Sequence, residues 1–238
     1  MNKNQLISSL SKTLLSVLML SLLSISARSK AIPISQHSLV LMQSRPINGD
    51  TIKVVSGVPL KPEDISPLLA GESIPILNLL SSTGENFDVN KSLASKQTIL
   101  VFYRGGWCPY CSKQLAGLQE IEKDLTAMGY QLIAISTDSP DNLNASKDKG
   151  KLSYTLLSDA DLSASKKFGI AFKSPKGYDK FLPTTSGGKN VDKLLPVPSV
   201  FILSKKGKIL FEYINPNITE RLSSSLMKAA AMALREDI

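Results

Sequence analysis

The sequence predicts an α/β fold, a central mixed β-sheet with helices on both faces, and three observations carry that prediction. Gln97 to Tyr103 is a continuous apolar run suited to the centre of a sheet covered on both sides. It is followed by helical and strand-like segments in alternation, the pattern that buries a sheet between helix layers. A hairpin and a last amphipathic helix close the chain.

Taken in order, residues 32–68 are polar and contain Pro and Gly, with one strand-like patch at Thr51-Ile52-Lys53-Val54-Val55. They read as an N-terminal extension before a domain covering 69–238. Ile74 to Leu80 and Phe87 to Val89 suggest a hairpin turning at Gly84. After the central strand, Leu115, Leu118, Ile121, Leu125 and Met128 recur at helical spacing, and Gly129 ends that helix. Tyr130 to Ser136 is the next strand. Ser139-Pro140-Asp141 starts a helix, with Pro140 suited to its first position. A short strand, Tyr154 to Ser158, and a short helix, Asp161 to Phe168, lead to Gly169.

Phe172 to Pro196 is rich in Lys, Pro, Gly and Thr and reads as a surface insertion outside the core. Ser199 to Leu203 and Ile209 to Tyr213 form a hairpin around the charged turn Lys205-Lys206-Gly207-Lys208. The last helix is expected to bury Leu222, Leu226, Ala229, Ala230 and Leu234.

Residues 1–31 read as a signal peptide. Lys3 and Lys12 supply positive charge, Thr13 to Ala27 is apolar, and Ser29-Lys30-Ala31 offers small residues for cleavage; cleavage after Ala27 is the alternative. The apolar run is about 15 residues, short of the roughly 20 that span a bilayer, so export is expected, to a periplasm or the exterior. An uncleaved anchor is the competing reading. Cleavage after Ala31 removes Lys3, Lys12, Arg28 and Lys30, so the formal charge falls from +8 to +4. That balance argues against nucleic acid, or a membrane after cleavage, as a partner.

Chemistry concentrates at Cys108-Pro109-Tyr110-Cys111, directly after Trp107 and the central strand, and these are the only cysteines in the chain. Position places Cys108 at a helix N-terminus, where unpaired N–H groups and the helix dipole favour a thiolate. Cys111 lies one turn later on the same side and can close a disulfide onto it. Two cysteines cannot complete a tetrahedral zinc site, and the single histidine, His37, lies far upstream. A purely structural disulfide over so short a loop removes little unfolded-state entropy. The redox reading wins. Cys108 is expected to be the lower-pKa and more accessible thiol, with Cys111 buried in the first helical turn.

With Phe102-Tyr103-Arg104-Gly105-Gly106-Trp107-Cys108-Pro109-Tyr110-Cys111, Gly71-Glu72-x-Ile74-Pro75, Leu156-Leu157-Ser158-Asp159, Pro196-Val197-Pro198, Asn215-Pro216 and Arg221-Leu222-Ser223, the chain from about Leu69 onward resembles the peroxiredoxin-like (AhpC/TSA, redoxin) branch of the thioredoxin superfamily. The resemblance implies a thioredoxin-like fold and an antioxidant thiol enzyme that reduces hydroperoxides through a Cys108/Cys111 cycle. Protein disulfide exchange by the same pair is the alternative, and a non-catalytic redox-sensing domain a third reading. No nucleotide, metal or flavin motif appears, so no cofactor is expected, and the reductant is expected to be a thioredoxin-like protein or a small thiol. Pro198 would be the family's cis-proline facing the cysteines, and Arg104, Trp107, Pro109 and Tyr110 would shape the site.

The chain departs from the family pattern in two ways. The loop Arg104-Gly105-Gly106-Trp107 lacks the threonine that precedes the reactive cysteine, and Val197-Pro198 stands where a distal arginine is expected. Arg104 either lends its charge to the thiolate or points into solvent. Phe102 occupies the position of the buried carboxylate of thioredoxins proper.

Overall fold

The computed structural model describes residues 57–235. Residues 1–31, read as a signal peptide, and the strand-like patch at 51–55 lie outside the described residues.

The central strand sets the architecture. β3 (Gln97–Tyr103) is buried at every position. It pairs in parallel with β4 (Tyr130–Ser136) on one side and antiparallel with β8 (Ser199–Leu203) on the other. With β1 (Asn78–Ser81), β2 (Asn86–Asp88), β5 (Thr155–Ser158) and β9 (Ile209–Ile214), the seven-stranded order is β2-β1-β5-β4-β3-β8-β9. The sheet is therefore mixed, as expected. Gly84 makes the first turn with φ +81°, a conformation open to glycine without strain.

Alternation along β3 divides the core into two layers. Leu100 and Phe102 join one cluster with Val89 and Leu93 of α1 (Val89–Leu93) and Ala164 of α4 (Ser163–Lys167). Ile99, Val101 and Tyr103 face the other, with Leu115, Leu118 and Leu125 of α2 (Pro109–Ala127). Leu143 of α3 (Pro140–Gly150) and Met227 and Ala231 of α6 (Ser224–Leu234) complete that layer. Period-two side chains on a strand buried on both faces produce this arrangement.

Three expectations change. Phe172 to Pro196 is partly core: β6 (Ala171–Lys173) and β7 (Leu194–Pro196) form a two-stranded ribbon, and Leu182 of α5 (Leu182–Thr185), Leu194 and Leu195 are buried. Buried Asn190 makes this polar stretch foldable, donating to Leu194 O at 2.8 Å and accepting from Leu194 N at 2.9 Å. Around α6 Leu222 is buried and Ala230 and Leu234 pack on the core as expected, but Met227 and Ala231 are the helix's buried residues, and Leu226 and Ala229 are exposed. Pro198 follows a trans peptide bond, as every described proline does. The bond takes the isomer that X-Pro bonds favour, and both flanking groups are held: Val197 N–H donates to Ile170 O at 2.8 Å and Pro198 O accepts from Asn215 N–H at 3.3 Å.

Residues 57–68 pack on the domain. Lys173 N–H donates to Pro59 O at 2.8 Å, Leu68 N–H donates to Phe168 O at 3.1 Å, and Ile65 and Leu68 rest on the first core cluster.

Candidate active site

Parallel β3 and β4 end level with each other, Tyr103 opposite Ser136, and the chemistry-bearing loops leave the sheet there. The carboxyl ends of strands are where open α/β sheets build their sites. From β3 the chain makes the loop Arg104–Trp107 and enters α2, with Cys108 as the N-cap and Pro109 in the first turn. Cys111 follows in that turn, its side chain on the α2–β3 core layer.

Two residues after β4 hold this loop. Thr137 Oγ1 donates to Arg104 O at 2.9 Å, and Gly106 N–H donates to Asp138 Oδ2 at 2.7 Å. The close approach explains both glycines. A Cβ at Gly105, where φ is +154°, would collide with the Trp107 indole and lie 2.8 Å from Asp138 Oδ1, and one at Gly106 would strike Ser146 Oγ. Burial raises Asp138 from an ordinary 3.8 to about 6, although the Gly106 N–H favours the ionised form.

Arg104 does not point into solvent. Only 3% exposed, it places its guanidinium over the rings of Trp107 (5.0 Å) and Tyr178 (4.8 Å). Phe181 meets the Trp107 ring edge-on at 4.8 Å. The segment read as a surface insertion thus supplies two aromatic walls of the site. Tyr110, at 45% exposure, is the open face of the motif. A cleft of about 260 Å³ beside the loop is lined by Gly106, Trp107, Asp138, Ser146, Lys149 and Phe181 among others; neither cysteine lines it.

The two cysteines are free thiols and differ in chemistry more than in exposure. Cys108 is 1% exposed and Cys111 0%, so the expected accessible Cys108 is not found. Trp107 packs on the same cluster, and the Arg221 guanidinium lies against the sulfurs. The Cys108 thiol is lowered from an ordinary 9.0 to about 6. The hydrogen bond from the Cys111 side chain is the leading cause, opposed by burial and helped by the Cys111 backbone N–H and the charges of Arg104 and Arg221. Burial pushes Cys111 the other way, well above the ordinary value, and the neighbouring Cys108 adds to that. One sulfur is set up as a thiolate and the other as its hydrogen-bond donor.

Pro198 stands one residue before β8, at the end of the sheet where Ser199 pairs with Phe102. Sequence reasoning missed Asp138, Tyr178, Phe181 and, above all, Arg221. Arg221 sits between β9 and α6, and its Nη2 lies 3.2 Å from Cys111 Sγ and 4.0 Å from Cys108 Sγ.

A dithiol opening a helix beside the central strand of a mixed sheet defines a thiol oxidoreductase of thioredoxin-like fold. The AhpC/TSA family model matches residues 70–211, more than half of the chain, and the chain belongs to that family. Peroxiredoxin Bcp of Escherichia coli K12 is similar, 31% identical over 106 residues that cover 44% of this chain and 67% of the relative. Among solved structures, peroxidoxin BcpB of Mycobacterium tuberculosis superposes with a TM-score of 0.58 at 20% identity, over 71% of this chain and 99% of that one. Reduced Prx3 of Vibrio vulnificus, solved in complex with H2O2, gives 0.59 at 18% identity, over 69% and 96%. These structures share the fold.

Proposed function

We propose that the protein is a thiol peroxidase in which Cys108 reduces hydroperoxides, Cys111 closes the product into a disulfide, and a thioredoxin-like protein or a small thiol reopens it. The observation that carries this reading is Cys108 at the N-cap of α2 with its thiol lowered to about 6. The thiolate attacks one peroxide oxygen; the O–O bond breaks, the alkoxide leaves and takes up a proton, and Cys108 becomes a sulfenic acid. Cys111 then attacks that sulfur as its proton and the hydroxide leave as water, and a dithiol, or two monothiols, restores both cysteines. The names of the relatives and the family membership support the reading.

The test is consumption of hydrogen peroxide and an organic hydroperoxide by the reduced protein with a thiol donor. Cys108→Ser should abolish turnover, and turnover persisting in that variant would refute the reading.

Disulfide exchange is the second reading, favoured by a Trp-Cys-Pro-x-Cys pair whose second thiol already hydrogen-bonds the first. Insulin reduction faster than peroxide consumption would favour it. Export belongs to the same proposal, supported by the charged start and apolar run of residues 1–31.

A further inference from the structure

Arg221 lies ten residues past 211, where the match to the family model ends. The segment that carries it is tightly built. Asn215 Oδ1 accepts from Asn217 N–H, Asn217 Oδ1 accepts from Thr219 N–H, and Glu220 N–H donates to Asn217 O. On its other side Leu222 is 3% exposed in the core, and Ser223 caps α6 by accepting from Leu226 N–H. The guanidinium is anchored as well: Nη1 donates to Ile218 O at 2.9 Å and to Glu220 O at 2.6 Å. The remaining arm, Nη2, is thereby aimed at the sulfurs. It stands nearer to Cys111, at 3.2 Å, than to Cys108, at 4.0 Å.

We propose that Arg221 is a catalytic residue of the resolving step, holding the Cys111 sulfur and stabilising its negative charge as it attacks oxidised Cys108. The inference rests on the peroxidase reading above. Cys111 is buried, and burial opposes its ionisation. While Cys108 is a thiolate, it accepts the Cys111 S–H. Once Cys108 is a sulfenic acid that charge is gone, and Arg221 is the fixed cation touching the second sulfur. The Cys111 S–H bond breaks, an S–S bond forms, the S–O bond of Cys108 breaks, and the proton and hydroxide leave as water. No further oxidant or reductant is needed within this step. A guanidinium N–H on a thiolate is a charge-assisted hydrogen bond, stronger than a neutral one, and here Nη2 makes it while Nη1 stays on the backbone carbonyls.

The prediction is kinetic. Reduced protein mixed with hydrogen peroxide should show two phases in tryptophan fluorescence, since the single Trp107 adjoins Cys108. The first depends on peroxide concentration and reports sulfenic acid formation; the second is independent of it and reports disulfide closure. Arg221→Gln should slow the second phase by on the order of ten- to a hundredfold, the range a hydrogen bond to a charged group supports, and the first phase by less. Arg221→Lys, which keeps the charge but not the fork, should recover part of the second phase and guards against a folding defect in the Gln variant. Mass spectrometry of Arg221→Gln in excess peroxide should show Cys108 sulfinic acid, because a delayed resolution exposes the sulfenic acid to a second peroxide. Equal slowing of both phases, or an unchanged second phase in Arg221→Gln, overturns the inference and leaves the peroxidase reading standing. A wild-type protein with no peroxide-dependent phase overturns both.

Discussion

Asp138 Oδ2 accepts the Gly106 N–H at 2.7 Å, so the end of β4 holds the loop that delivers Cys108 to its helix N-terminus. The contact spans 32 residues of sequence and ties the two central parallel strands together where the site lies. Removing the acceptor leaves a part-buried N–H unpaired, which costs about 1 kcal/mol, the low end of the range for a buried donor. Asp138→Ala should therefore lower stability in urea by about that amount, whereas Asp138→Asn, which keeps an oxygen acceptor, should lose much less. Equal losses in the two variants would mean that the hydrogen bond is not what the carboxylate contributes.

The stability of the reduced protein should pass through a minimum near pH 6. Burial raises Asp138 and Asp159 from an ordinary 3.8 to about 6. Between about pH 4 and 6 the folded state thus holds protons that the unfolded chain has lost, and stability falls as pH rises. Cys108 acts oppositely: lowered from 9.0 to about 6, it is ionised in the folded state while still protonated in the unfolded chain, so stability rises from pH 6 to 9. Denaturation midpoints of wild type and Cys108→Ser across pH 4.5 to 9 check this, and the variant should lose the upper rise. A Cys108→Ser curve that keeps the rise would assign it to another group.

Arg104→Ala removes a cation from between Trp107 and Tyr178 and one of the charges that favour the Cys108 thiolate. The midpoint of thiolate absorbance should move up from about pH 6, and the Trp107 emission should shift as its cover loosens. An unmoved midpoint would leave Arg104 a packing role only.

The sequence made the central strand, the helix after it and the placement of Cys108 legible because each rests on local periodicity and on a motif at a helix start. The other parts of the site are matters of distance in space. Arg221 is 110 positions from Cys111, and no local pattern around it points to sulfur. Asp138 lies two residues past β4 and reaches the loop from a neighbouring strand, whereas the carboxylate position of thioredoxins on β3 is taken by Phe102. Phe172 to Pro196 reads as surface because it is rich in Lys, Pro, Gly and Thr. Several of its apolar side chains, Phe172, Leu182, Leu194 and Leu195, are nonetheless buried, and Tyr178 and Phe181 reach the site. In α6 two apolar lines four residues apart compete, Leu222-Leu226-Ala230-Leu234 and Met227-Ala231. Packing against the sheet and α2 buries Met227 and Ala231 most deeply, keeps Leu222, Ala230 and Leu234 against the same core and leaves Leu226 out, a tertiary decision that spacing alone does not make.

The central claim is that peroxide oxidises Cys108 first and that Cys111 captures the product. Intact-mass and peptide mapping of reduced protein after one equivalent of hydrogen peroxide tests it most directly. Wild type should convert to the Cys108–Cys111 disulfide, Cys111→Ser should hold Cys108 as a sulfenic acid that a dimedone-type reagent traps, and Cys108→Ser should stay unmodified. A Cys108→Ser protein oxidised at Cys111 as fast as wild type reacts would contradict the account.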